Sequence, residues 1–245
     1  MLRRPYISIT PVLSAVSLVA MTFLAPAASG ADLTQAFDQK HKECLERIAE
    51  DADLAYEEAM IWRSQGGGRR AKHCEAMALF ALGHEDEAAH RLDVLAKASD
   101  GGSPEMRADF YSVAANFWLL ANLPENAYAS ATAGLKLKED HTDLRIARAR
   151  AYSLQGRYDF AETDLTSALV FDPDSAAALR YRADARMELD KLDEALEDIE
   201  SSLTLDPESV ETAVLRGRIR EAIRKQDKKP KAKPAVESEA EPTAE

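Results

Sequence analysis

Pro173 and Pro207 stand 34 residues apart, and shifting the sequence by that interval superposes much of what surrounds them. The shift lays Arg148 on Arg182 and Arg216, Ala149 on Ala183 and Gly217, Ala161 on Ala195, and Leu165 on Ile199. It also lays Asp164 on Asp198, Leu169 on Leu203, and Phe171-Asp172-Pro173 on Leu205-Asp206-Pro207. A fixed period of this length marks a repeat architecture, in which each unit buries its apolar face against its neighbour and not around a shared centre. With 46% hydrophobic residues the chain has enough apolar surface to fold this way, as an elongated stack.

In the unit 142–175 the eighth place holds Ala149, the eleventh Tyr152, the twentieth Ala161 and the thirty-second Pro173. A small residue, an aromatic, an alanine and a proline at those places resemble the tetratricopeptide repeat. The resemblance implies an all-α, right-handed superhelical solenoid of antiparallel helix pairs. Residues 69–102 fit it with Ala76, Leu79, Gly83, Ala88 and Leu92, and residues 108–141 with Ala115, Trp118, Ala127 and Gly134, although Glu139 stands where proline is expected. Residues 176–209 form the next clear unit, and residues 210–225, with Gly217 at the eighth place, are expected to cap the stack. The five extra residues 103–107 are expected to lengthen a loop. Alanines at the eighth and twentieth places let paired helices approach closely, while Tyr152, Leu165, Leu169 and Phe171 are expected to fill the space between pairs.

Residues 32–68 fit the pattern poorly. They read as two amphipathic helices, 32–51 and 52–65, followed by Gly66-Gly67-Gly68. Terminal repeats are commonly degenerate because one face meets solvent. The repeats with their cap are assigned to 69–226. From 227 to 245 the composition turns to Lys, Pro, Ala and Glu, with Val236 the one large apolar residue, and a segment that buries so little surface is expected to be disordered.

The chain opens with Arg3 and Arg4, continues through an apolar run from Ile7 to Leu24, and reaches the small residues around Ala25, Ala27, Ser29 and Ala31. This is the layout of a secretory signal peptide over 1–31, cleaved after Ala27 or Ala31. It predicts a periplasmic or secreted protein, exported by the general secretory route, with no membrane span once the leader is gone. Arg3 and Arg4 are the leader's only charges, so the net charge of −12 becomes −14 without them. An acidic chain without a basic, aromatic-rich patch repels phosphate backbones, which argues against nucleic acid as a partner.

Arg148, Arg182 and Arg216 could be read as a binding ladder. The repeats they belong to also supply Asp164 and Asp198, and the resemblance implies that such pairs cross-brace the scaffold. By the same resemblance, the groove is lined by first helices, placing Ser112, Asn116, Arg150, Arg180, Tyr181, Asp184 and Arg218 where a partner segment would lie. Arg70, His73, Met77, Leu119 and Ile146 fall at equivalent places. The Lys and Asn set of the family's carboxylate clamp is missing, so that clamp is not inherited.

Cys44 and Cys74 are the only cysteines, and both fall on first helices of adjacent pairs. In an oxidising compartment they are expected to form a disulfide closing a loop of about 30 residues, worth about 3 kcal/mol. The competing expectation gathers His41, Cys44, His73 and Cys74 around zinc, in a metal- or redox-responsive protein. Consecutive His73 and Cys74 project about 100° apart on a helix, which disfavours a shared ion. No nucleophile and base constellation and no glycine-rich cofactor loop appears, so an envelope enzyme is the second choice. The sequence therefore predicts a noncatalytic scaffold or adaptor, without cofactor or metal, that holds a protein or peptide partner of the cell envelope. The short basic run 228–233 reads as a solvated linker.

Overall fold

The computed structural model describes residues 30–228, with side chains described from Thr34 onward. The expectations for residues 1–29 and 229–245 lie outside the described residues. What is described forms eleven helices: α1 (Gly30–Glu50), α2 (Ala52–Ser64), α3 (Gly68–Ala81), α4 (Glu85–Lys97), α5 (Pro104–Leu120), α6 (Pro124–Leu135), α7 (Thr142–Leu154), α8 (Tyr158–Phe171), α9 (Ala176–Glu188), α10 (Leu192–Leu205) and α11 (Val210–Asp227). Five helix pairs are followed by a single helix. Every helix packs on the next, and α5, α7, α9 and α11 also touch in succession, so the first helices make one continuous side of a solenoid.

The boundaries follow from local chemistry that recurs with the period. Ser175 and Ser209 each cap a first helix by accepting the N–H of the residue three places on, Ala178 and Thr212. Within pairs the chain reverses through one left-handed residue: Gly83 at φ +80° and Gly156 at φ +72°, replaced by Asn122 and Asp190 in the other two units. Asp172 and Asp206 end the second helices, and the prolines that follow cannot continue them.

Residues 104–107 are not a loop extension but the first turn of α5. Ser103 accepts the Met106 N–H, and Pro104 occupies the first helical position, where its missing N–H leaves no bond unmade. The added residues lengthen α5 to 17 residues.

The core is a succession of local clusters. One gathers α3 to α7 around Leu92, Leu95, Trp118 and Leu144, the next centres on Leu165, and a third on Ile199 and Ile219. The repeat alanines Ala149, Ala161, Ala183 and Ala195 are wholly buried. Phe171 does not join them. It is 49% exposed, with the Arg145 guanidinium 5.4 Å from its ring centre, because it sits at the last residue of α8.

The arginine ladder cross-braces the helix pairs. Arg148 Nε and Nη2 donate to the two oxygens of Asp164 at 2.6 and 2.7 Å, and Arg182 does the same to Asp198 at 2.8 and 2.7 Å. Arg186 Nη1 adds a third bond to Asp198 at 2.8 Å. The corresponding places in the unit 69–102 carry the reverse charges. Glu75, 1% exposed, accepts from Arg91 Nη1 at 2.6 Å, and Arg63 Nε lies 3.2 Å from its other oxygen. In the unit 108–141 the rung is uncharged, Ala114 facing Ser130, and Ser130 donates instead to Asp93 together with Trp118. Arg216 departs from the expected ladder. No carboxylate pairs with it among the described residues, in which no helix follows α11 to supply one.

Candidate functional site

Asn116, Arg150, Asp184 and Arg218 are spaced 34 apart and fall on α5, α7, α9 and α11. A constant interval along stacked first helices sets these side chains in one row, and the two at each end of it are in contact. Asn116 Nδ2 donates to the Ser112 carbonyl at 3.0 Å, while Asn116 Oδ1 accepts from Arg150 Nη1 at 2.7 Å. At the other end Arg218 reaches Asp184 at 3.6 Å and Glu188 at 3.7 Å. Tyr181 fills the middle, with the Arg150 guanidinium 5.1 Å and the Arg180 guanidinium 4.5 Å from its ring centre. Cations that close to an aromatic face are held by its quadrupole.

The structure thus brings six of the seven expected groove residues into one line. Ser112 differs: it is buried and takes part through its backbone carbonyl. Neither Arg150 nor Arg180 has a carboxylate within ion-pair distance among the described residues, in contrast to Arg148 and Arg182 on the same helices. Burial lifts the Asp184 carboxyl above the usual range, against the opposing pull of Arg218 and Arg180.

Beside this row, between α9 and α11, lies a cavity of about 370 Å³ bordered by Arg180, Tyr181, Asp184, Val214, Leu215 and Arg218. Its apolar shelf is Val210 and Val214, 70% and 59% exposed. Sequence reasoning missed these two valines. The signal was available, since they stand four apart and share a helix face in a helix otherwise rich in charge.

A second cluster lies at the other end of the stack. Cys44 and Cys74 are joined in a disulfide with their Cα atoms 6.3 Å apart, which ties α1 to α3. Both sulfurs are therefore consumed, and the zinc set of His41, Cys44, His73 and Cys74 loses its thiolates. Among the described residues no group of three or more His, Cys, Asp or Glu is gathered to hold a metal ion. The two imidazoles meet directly, His41 Nε2 lying 3.0 Å from His73 Nδ1. Burial, reinforced by His41, pushes the His73 pKa down to about 4, and burial with Arg70 lowers that of His41. Asp38 is paired to Arg70 at the rim.

Comparison with solved structures settles the fold. No protein-family model and no curated protein matches the chain. Solved structures do: YrrB, a repeat protein with an unusual peptide-binding site, aligns with a TM-score of 0.53 and 16% identity over 76% of this chain and 88% of that one. A thermophilic protein of Thermus thermophilus aligns at 0.51 and 19% over 75% and 99%. Both carry the tetratricopeptide repeat (TPR) fold, and the 34-residue period supplies its residues. The chain carries the TPR fold. The second TPR domain of human RPAP3, solved with the HSP70 peptide SGPTIEEVD, is 30% identical over 48% of this chain and 98% of that domain, with a TM-score of 0.46. Among the described residues of this TPR protein no helix is long and apolar enough to cross a membrane.

Proposed function

We propose that this TPR protein is a noncatalytic scaffold or adaptor that holds an extended segment of a partner protein along α5, α7, α9 and α11. The observation that carries the reading is the Arg150–Tyr181–Arg180 cluster. Two guanidiniums are held in place by an aromatic ring yet left without a carboxylate, beside an exposed apolar shelf. Such groups offer charge-assisted hydrogen bonds to a peptide's carboxylates and carbonyls, and the shelf offers apolar contact. A peptide-binding site on the same fold in YrrB accords with this use.

The compartment proposed is the cell envelope or exterior. Two features support it: the leader pattern of residues 1–31, and a buried disulfide of the kind that persists in oxidising surroundings. The test is a crosslinking pull-down from the envelope fraction, with wild type against the Arg150→Ala, Arg180→Ala double variant. Partner recovery is expected to fall about tenfold, as for the loss of one or two charged contacts, while the melting temperature holds. Unchanged recovery would remove the groove from the reading.

A further inference from the structure

The apolar shelf between α9 and α11 belongs to a longer track. A second cavity of about 260 Å³, bordered by Met187, Arg218, Glu221, Ala222 and Lys225, shares Arg218 with the first. Together they follow one face of α11 from Lys225 back to Val210. That face starts where the described chain stops, at Lys228, and leads to the cluster around Tyr181.

The segment that follows, 229–245, is outside the described residues, but its sequence is laid out to suit the track. Lys229 to Ala235 is a Lys, Pro and Ala spacer, Val236 is its one large apolar residue, and Glu237, Glu239 and Glu241 come directly after. Val214 lies 14 residues before the end of the described chain, which along a helix is about 21 Å. Eight residues in extended form reach about 27 Å. An extended spacer is long enough for Val236 to reach Val214 with slack and Val210 at full stretch, about 27 Å along the helix, which would leave the three glutamates within reach of Arg218, Arg180 and Arg150.

We propose that the acidic segment around 236–241 docks in its own groove, with Val236 on the shelf of α11 and its glutamates on Arg180, Arg218 and Arg150, as a tethered competitor of the partner. The inference rests on the groove reading only in placing both ligands on the same face. Asp184 and Glu211 also border the cavity and oppose the glutamates, which keeps the docking weak. Weak contacts suffice, because a short tether gives an effective concentration on the order of millimolar. The tail therefore leaves when a partner with more contacts arrives.

A nitroxide on Ser238→Cys in the full chain tests this, since both native sulfurs are already bonded and only the new thiol reacts. The amide signals of Tyr181, Asp184, Val214 and Arg218 are expected to lose more than about half their intensity, as for a tethered contact populated much of the time. About 0.5 M salt, which shortens the screening length to a few ångström, is expected to restore them. So is Glu237→Lys combined with Glu239→Lys and Glu241→Lys, a change outside the repeats that leaves their packing alone. Broadening confined to the last turn of α11, or broadening indifferent to the charge reversal, would overturn the proposal. So would broadening that appears on unlabelled chains when they are mixed with labelled ones, because the tail would then occupy a second copy. Because no partner enters this measurement, tail docking can fail while the pull-down still depends on Arg150 and Arg180, and the reverse result is equally readable.

Discussion

At the scale of single residues, two glycines show how much the neighbour decides. Gly134 in α6 faces α7 and α5 so closely that an added Cβ would stand 2.6 Å from Leu144 Cδ1 and 3.0 Å from Tyr111 Cβ. Gly217 in α11 meets nothing within 4 Å, although it occupies the place where Ala149 and Ala183 are buried. Gly217 is open because, among the described residues, no second helix closes over α11. Gly134→Ala is expected to cost about 1–3 kcal/mol through overpacking. Gly217→Ala should add about 0.5–1 kcal/mol by lowering the entropy lost in the helix. Urea unfolding of the two variants reads both signs, and a gain from Gly134→Ala would refute the packing account.

At the scale of elements, α1 is the exception that the period cannot describe. Of its residues 34–50 only Cys44 is buried, and Leu45 and Ile48 add partial contact around Ala59 and Cys74. Covalent attachment thus replaces most of the apolar contact that the other helices make. Reduction, or Cys44→Ser with Cys74→Ser, is expected to remove about 3 kcal/mol, the value for a loop of this size. Hydrogen exchange should then speed up in α1 while α7 to α10 keep their protection. Acid acts on the same joint. With its folded pKa near 4 and an unfolded value of 6.5, His73 takes up its proton more readily when the chain unfolds. Its contribution is complete above pH 6.5 and is withdrawn as the pH falls towards 4, amounting to about 2 kcal/mol by pH 5. His41 shifts in the same direction. Replacing His73 by Gln should flatten the profile, as measured by urea midpoints at pH 7 and pH 5. The sequence made the pairing of the cysteines legible through their places on neighbouring first helices. The zinc alternative set His41 and His73 close together, but it did not show their direct imidazole contact, which depends on the angle at which α1 lies on α3.

At the scale of the whole molecule, the helix count, the turns and the buried alanines follow from the 34-residue interval because each expresses contact between adjacent units. The groove was legible as places, and the resemblance named Asn116, Arg150, Asp184 and Arg218 before their contacts were known. It did not show that Arg150 is already engaged by Asn116, since a hydrogen bond between units depends on both occupants. Removing Asp198, by contrast, leaves Arg182 and Arg186 facing a buried void, so Asp198→Ala is expected to cost about 3–5 kcal/mol and to lower the denaturant midpoint of the whole stack. A midpoint unchanged within error would show the pair to be dispensable. The reversed rung, Glu75 with Arg91, has a further consequence. While the chain is folding, its similar helices can meet the wrong mates, and α3 set against α8 or α10 would bring Glu75 to Asp164 or Asp198, carboxylate to carboxylate. Opposite polarity at equivalent places thus acts as a key that penalises a misthreaded stack, and the neutral rung of Ala114 and Ser130 separates the two senses of the code.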